Sequence, residues 1–319
     1  IERVEFTETG TFGYHLNTGV PHLVLFTDSI EELDVASDGR RYRYDGRFAP
    51  AGANVNFVRV EGDRLVETLR LQGLTNHRIG EAFISGGVRD CGQGAELILA
   101  SADGLAAISG ARAAGVSIAA ETCTHYLVFT EEMLELPDGI KWICSPPLRP
   151  AAVRDELWRG VADGRIALVS SDDAAYSWKA KLMGENRFDR CPNGIPGVEV
   201  RLPLLYSEGV SKGRITLERM VELVASEPAR IFGLAPRKGA LAPGADADIV
   251  LFDPKLRWTM GLNTLHMAAD WSAYEGIEVT GRVVKVFSRG ELIVDGERFL
   301  ARKGRGLFVK RNPVRGLDA

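Results

Sequence analysis

The chain has 319 residues, 45% apolar and 26% charged, an ordinary globular composition that excludes collagen-like, disordered and disulfide-scaffold classes. Its 39 basic and 43 acidic residues leave a net charge of -4 with no basic block, so a surface tracking nucleic-acid phosphates is not expected. Apolar runs stop well short of the roughly 18 residues of a membrane span, so no membrane partner is expected. The chain opens on Ile1 and charged residues without a signal-peptide pattern, and without an initiator Met the first residue is not expected to start a gene product. Cys91, Cys123, Cys144 and Cys191 stand 32, 21 and 47 residues apart with no CxxC pair, as free thiols in a reducing cytoplasm would.

Residues 1 to about 70 read as β-rich. PHLVLFTD (21–28) is a near-continuous apolar strand, and NVNFVRVEGDRLV (54–66) alternates and turns at Gly62-Asp63, as a hairpin does. The polar run 36–53 between them is loop or short helix. From 70 to 120 the pattern turns helical and then mixed, broken at Gly86-Gly87 and at CGQG (91–94). LAAISGARAAG (105–115) is a helix closed by Gly115, and GVSIAAETCTHYLVF (115–129) reads as a buried parallel strand. A second cycle follows: IKWICS (140–145) as strand, VRDELWRGVADG (153–164) as helix with a stripe at 153, 157, 158 and 161, and RIALVSSDD (165–173) as strand. Strand, helix, strand with short connections means βαβ units and a parallel sheet.

LERMVELVASEPARIFGL (217–234) starts at Thr216 as N-cap, with Leu217, Met220, Val221 and Val224 as the expected buried face. Pro228 can start a second short helix that Gly233 ends. DADIVLFDP (246–254) and RVVKVFSRGELIVDGERFL (282–300) are strands and hairpins turning at Arg289-Gly290 and Asp295-Gly296.

Three strand-end segments could carry chemistry. RIALVSSDDAA delivers Ser170, Ser171, Asp172 and Asp173 where an α/β barrel keeps its active site, and an Asp there can bind a metal and shuttle a proton; the same residues can equally cap the next segment. KWICSPPLRP (141–150) leaves its strand through Ser145-Pro146-Pro147, a stiff loop able to present backbone groups to a small polar ligand, or an ordinary Pro-stiffened loop. CPNGIPG (191–197) is turn chemistry of the same kind, centred on Asn193-Gly194. The five histidines, His15, His22, His77, His125 and His266, form no HxH or HxxxH pair, so no local zinc motif is present. No GxSxG elbow, Walker loop or strand-linked GxGxxG occurs.

From about 97 to 312 the chain resembles dihydropyrimidinases and D-hydantoinases, the cyclic-amide hydrolases of the amidohydrolase superfamily. The resemblance runs in one order through SADGLAAISGARAAG, AETCTHYLVF, ICSPPLRP, LVSSDDAAYSWKAK, CPNGIPGVEVRLPLLYSEGVSKGRI, IFGLAPRKGALAPGADADIVLFDP and LHMAADWSAYEGIEVTGRVVKVFSRGELIVDGERF. It implies a TIM-like barrel beside a small β-sandwich, two zinc ions, a homo-oligomer, and a metal-bound hydroxide that opens a cyclic amide (ureide) ring. By motif, Asp172 matches the catalytic proton relay and metal ligand, and Ser145 and Asn193 match contacts to the substrate amide. Where the family often has His, this chain has Asp173, at a position not taken as a ligand. The family's HxH, carboxylated Lys and strand-5 His have no counterpart, and its strand-6 His would fall near Ile98 to Ala100, which are apolar. One of six usual ligands, Asp172, remains, and only about three βα units are retained, so a standard closed eight-stranded barrel is not expected.

The front, GYHLNTGVPHLVLFTDSIEELDV and GRFAPAGANVNFVRVEGDRLV, is similar to the second half of diaminopimelate epimerase, with Asn54 matching a substrate contact and Val20 standing where that family has Asn or Ser. CGQG at 91–94 is only distantly similar to its CGTG motif, and the half bearing the partner thiol is missing, so two-base epimerisation is not expected. The expected fold class is α/β: a β-rich N-terminal segment (1–75), a junction (76–96), a partial TIM-like (β/α) barrel segment (97–235) and a C-terminal β-sandwich portion with tail (236–319). The expected function is hydantoinase- or dihydropyrimidinase-type hydrolysis, impaired by missing ligands; a catalytically inactive binding or assembly subunit is the alternative, and an epimerase-like activity the second.

Overall fold

The computed structural model describes residues 2–6, 9–17, 21–28, 35–48, 54–61, 64–67, 88–90, 95–113, 115, 118–185, 187 and 190–312. The N-terminal part is a five-stranded sheet in sequence order: β1 (Glu2–Phe6), β2 (Thr11–Asn17), β3 (Pro21–Phe26), β4 (Asn54–Glu61) and β5 (Arg64–Glu67). Neighbours are antiparallel except β3 and β4, which run parallel from His22 opposite Asn54 to Phe26 opposite Val58. A parallel pair needs a long crossover, and the polar run supplies it with helix α1 (Val35–Arg43) and a 3-10 turn (Gly46–Phe48). β1 alternates, Val4 and Phe6 inward and Arg3 and Glu5 outward, and Leu23, Leu25, Phe57, Tyr42 and Phe48 complete a small core. The β4–β5 hairpin forms as expected, with Glu61 paired to Arg64.

The second sheet holds β6 (Val88–Asp90), β7 (Ala95–Leu99), β8 (Ile118–Cys123) and β9 (Leu168–Ser170) in that order. β7, β8 and β9 are parallel, joined by α2 (Ala102–Ala113), α3 (Thr124–Val128) and α4 (Ala151–Ala162), while β6 is antiparallel to β7. Among the described residues the strands form this open sheet. α2 stops as expected at Gly115, whose N–H closes on the Arg112 carbonyl at 2.9 Å with φ +83°. α4 buries Leu157, Trp158, Gly160 and Val161. A Cβ at Gly160 would stand 2.6 Å from Leu105 Cδ2, so glycine sets how closely α4 approaches α2. Leu99, Leu105, Ile108, Ile118, Leu127, Leu157 and Ile166 are all at most 1% exposed, and each contributes roughly 1.5–3 kcal/mol by leaving water.

Three expectations are corrected. The apolar run 115–129 is not one strand: β8 ends at Cys123, where the Thr124 hydroxyl donates to the Ser170 carbonyl at 3.1 Å in place of a further ladder bond, and α3 begins. IKWICS (140–145) is a 3-10 turn over Gly139–Trp142 followed by extended chain. Its Trp142 and Cys144 are buried as in a strand, but the Ile143 carbonyl accepts from Gly194 N–H and Lys181 Nζ instead of from a neighbouring strand. The 217–231 helix, capped by Thr216 as expected, exposes Leu217 (50%) and Val221 (47%) and buries Met220 and Leu223. A π turn over Glu222–Ser226 widens the helix and rotates its buried stripe.

β10 (Ile249–Thr259), β11 (Glu278–Ser288), β12 (Glu291–Asp295) and β13 (Arg298–Phe299) form an antiparallel meander. Arg289 and Gly290 take positive φ at the β11–β12 turn, as its twist requires. The β10–β11 connection sends Met260, Leu265, Trp271 and Tyr274 into the same core as β7 to β9. Among the described residues no helix is long and apolar enough to cross a membrane.

Candidate functional site

Because β7, β8 and β9 are parallel, Leu99, Cys123 and Ser170 finish on one edge. Past β9 the backbone turns through Asp172 at φ +42°, a left-handed conformation that the short polar Asp side chain tolerates better than most. Asp173 then pairs with Ile195 in a parallel bridge, and its Oδ1 accepts from Gly197 N–H at 2.6 Å and Val198 N–H at 3.0 Å. Asp173 therefore holds the 195–198 segment.

That segment continues the Asn193-Gly194 turn. Gly194 has φ +134° and would place a Cβ 2.3 Å from the Ala174 Cβ, so no larger residue fits, and its N–H donates to the Ile143 carbonyl at 3.0 Å. The turn thereby meets the Ser145 loop, and Asn193 Nδ2 donates to Ser145 Oγ at 2.8 Å. The structure thus brings Ser145 and Asn193 into direct contact. Asp172 is exposed and lies within electrostatic reach of Tyr126 and Cys144, both of which bond the Pro146 carbonyl, at 2.9 and 3.2 Å. Burial pushes the Cys144 thiol up to about 12 and the Tyr126 hydroxyl well above its ordinary value, with the Asp172 charge adding to both, so neither group ionises near neutral pH.

Below the edge lies a polar ladder that pattern reading misses. Glu121 is fully buried and accepts from the Ser170 hydroxyl; Cys123 Sγ is 3.4 Å from the same oxygen. Burial lowers the Arg201 guanidinium pKa and the Glu121 charge opposes that shift. A glutamate inside the apolar run IAAETC was the available signal, since a buried charge needs a partner. Lys181 is also fully buried, its Nζ donating to the Ile143 carbonyl at 2.8 Å, and burial lowers its pKa.

The two zinc ions implied by the resemblance do not fit the described residues. No three His, Cys, Asp or Glu side chains converge among the described residues. Leu99 and Ala100, both 0% exposed, fill the end of β7. His125 follows β8 but is 1% exposed, and burial lowers its pKa to about 4 although a contact with the Ser171 backbone opposes the shift. His15 packs 5.0 Å from Phe48 on the N-terminal sheet, His22 is on β3, His266 pairs with Glu199, and His77 lies outside the described residues. Cys123, Cys144 and Cys191 are buried free thiols, whereas Cys91 and Val20 lie outside the described residues. Asn54 begins β4, opposite His22.

Residues 86–293 match the model of the amidohydrolase family. The D-phenylhydantoinases of Escherichia coli O1:K1 / APEC and of Escherichia coli strain K12 / DH10B are 46% identical over 204 residues, 64% of this chain and 44% of theirs. The crystal structure of dihydropyrimidinase from Brevibacillus agri NCHU1002 superposes with a TM-score of 0.68 at 39% identity, over 69% of this chain and 49% of that one. The L-hydantoinase (dihydropyrimidinase) of Arthrobacter aurescens gives 0.65 at 30% identity, over 68% and 48%. The chain spans somewhat less than half the length of these relatives. With its family model matched across well over half its length, the chain belongs to the amidohydrolase family.

Proposed function

We propose that this chain carries the ring-recognition part of a hydantoinase- or dihydropyrimidinase-type cyclic-amide hydrolase, with hydrolysis itself impaired. A cyclic amide or ureide presents an N–H donor beside a C=O acceptor. The loop pair offers the complement: the Ser145 hydroxyl can donate or accept, and Asn193 carries both an amide oxygen and an NH2. The observation that carries this reading is the 2.8 Å Asn193–Ser145 contact, built by two separate loops beside the strand end bearing Asp172. In this reading residues 97–235 are a partial TIM-like barrel segment and 236–319 the sandwich portion. Asp172 would serve as proton relay to the leaving ring nitrogen, as an exposed carboxylate just past the end of β9. The substrate class is a small cyclic amide, the assembly a homo-oligomer and the location the cytoplasm.

The apolar end of β7 favours a second reading, a catalytically inactive binding or assembly subunit. An epimerase chemistry for the N-terminal sheet needs two opposed thiols at its Asn54, and the described cysteines fall at 123, 144 and 191. Calorimetric titration with hydantoin and with dihydrouracil separates the first two readings. Saturable binding that weakens about tenfold in Asn193→Ala, the worth of one hydrogen bond, supports ring recognition. No binding by the unaltered chain overturns it in favour of the assembly subunit.

A further inference from the structure

The connection between β10 and β11, residues 260–277, is closed at its base by Met260 N–H on the Ile277 carbonyl (2.9 Å) and Gly276 N–H on the Met260 carbonyl (2.8 Å). From there it reaches across to the loops of the candidate site. Trp271 Nε1 donates to the Tyr176 carbonyl at 2.7 Å, and Asp270 Oδ1 accepts from Trp178 N–H at 2.8 Å. The Tyr274 hydroxyl lies 3.2 Å from where a Cβ would stand on Gly197, the residue whose N–H is held by Asp173.

The fourth anchor differs in kind. His266 N–H donates to Glu199 Oε2 at 2.6 Å, its Nδ1 lies 2.7 Å from Glu199 Oε1, and its Nε2 lies 3.0 Å from the Glu297 carbonyl. Both ring nitrogens face oxygens that only accept. A neutral imidazole has one N–H and leaves its other nitrogen pointing a lone pair at an acceptor; the imidazolium donates at both. The charged groups around it are Glu199 from the 197–200 segment, Glu297 from the β12–β13 turn, and Arg282 from β11, which approaches Glu297 at 3.5 Å.

We propose that His266, as the imidazolium, is a positioning residue that pins the 260–277 connection to Glu199 and thereby holds the Gly197–Glu199 segment, and the Asn193–Ser145 pair ahead of it, in place for a ring ligand. The ring-ligand clause rests on the functional reading above; the latch itself does not. The Glu199 carboxylate, ahead of the Glu297 carbonyl, raises the His266 pKa, and burial opposes this only in part. For a group whose folded pKa is raised, the stabilising contribution is complete below the ordinary histidine value of about 6.5 and is lost as pH rises through the raised value. The latch is therefore closed in mild acid and opens on the alkaline side.

The test follows the Trp271 indole N–H and the His266 ring of the full chain by NMR from pH 5.5 to 9, with hydantoin affinity measured in parallel. The indole N–H should lose exchange protection with the midpoint of the His266 titration, beyond the intrinsic pH dependence of exchange, and hydantoin affinity should fall about fivefold over the same midpoint. His266→Gln, which keeps a side-chain donor but no titrating charge, and Glu199→Gln should each flatten both curves. An indole signal that ignores the His266 titration overturns the proposal whatever the ligand does, and so does a midpoint that persists in His266→Gln. A titrating indole with hydantoin affinity independent of pH overturns the positioning role. A titrating indole without hydantoin binding at any pH supports the latch and sinks only the ring-recognition reading.

Discussion

Two strand ends on one edge of the parallel sheet are built differently. At β7, Leu99 and Ala100 are fully buried and apolar, and Leu99 gives its carbonyl to the Thr122 hydroxyl at 2.8 Å. At β9, two strands away, the chain runs out into exposed Asp172 and Asp173, and Asp173 organises the segment behind the Asn193 turn through two backbone N–H groups. The difference teaches that, in the proposed reading, the loops that would recognise a ring and the donors that would hold a metal are separable features of this architecture. The first set is assembled by contacts local to β9 and the loops beside it. The second requires side chains from several strand ends, and β7 commits its own to the core.

The largest effect should come from forcing the β7 end to resemble the β9 end. Leu99→His puts an imidazole into a fully buried apolar site and should cost about 2–5 kcal/mol of unfolding free energy in urea titration. With Asp172 it would make two donors, fewer than the three protein ligands of a catalytic zinc, so added zinc should not restore the loss. Zinc-dependent rescue would break the comparison. Weakening the other end should cost less: Asp173→Ala leaves the Gly197 and Val198 N–H groups without their acceptor, for about 1–3 kcal/mol and an Asn193 loop open to limited proteolysis. Unchanged proteolysis would show that the bridge to Ile195 suffices.

Between the two ends, His125 sharpens the comparison by pH. Its folded pKa of about 4 lies below the ordinary value near 6.5, so the unfolded chain binds a proton that the folded chain refuses. Stability is fully present above about 6.5 and falls as pH drops toward 4. His125→Phe should flatten that part of the profile, whereas a slope unchanged by the substitution would place the cause elsewhere. The smallest effect is in the N-terminal sheet, where Arg47 holds Asp45 down to about 2 by hydrogen bonds and charge. That contribution is present above the ordinary Asp value and fades as pH falls through 2. Being solvent-exposed, it should shift the acid unfolding midpoint of Asp45→Asn only slightly, and a shift rivalling that of His125→Phe would contradict its exposure.

Much of the fold was legible because its signals are local. The β4–β5 hairpin, Gly115 as helix stop and Thr216 as cap each depend on a few adjacent residues. The strand expected over 140–145 was not legible: its apolar side chains are buried as in a strand, while its carbonyl partners, Gly194 and Lys181, lie some forty to fifty residues away. Motifs name Asp172, Ser145 and Asn193 only as candidates, while the clamp role of Asp173 and the Glu121–Ser170 ladder depend on strand register and needed the fold. His266 looked isolated in sequence because Glu199 and Glu297 reach it only after three elements converge.

In the proposed reading this chain has a ring-recognition edge without a metal-hydroxide centre. That reading is tested most directly by elemental analysis of the purified chain beside a ring-opening assay on hydantoin and dihydrouracil. A catalytic zinc needs several converging imidazoles or carboxylates, and no three His, Cys, Asp or Glu side chains converge among the described residues. Less than about one zinc per chain and negligible ring opening are the expected result. Two zinc ions per chain, with turnover that Asp172→Asn abolishes, would contradict it.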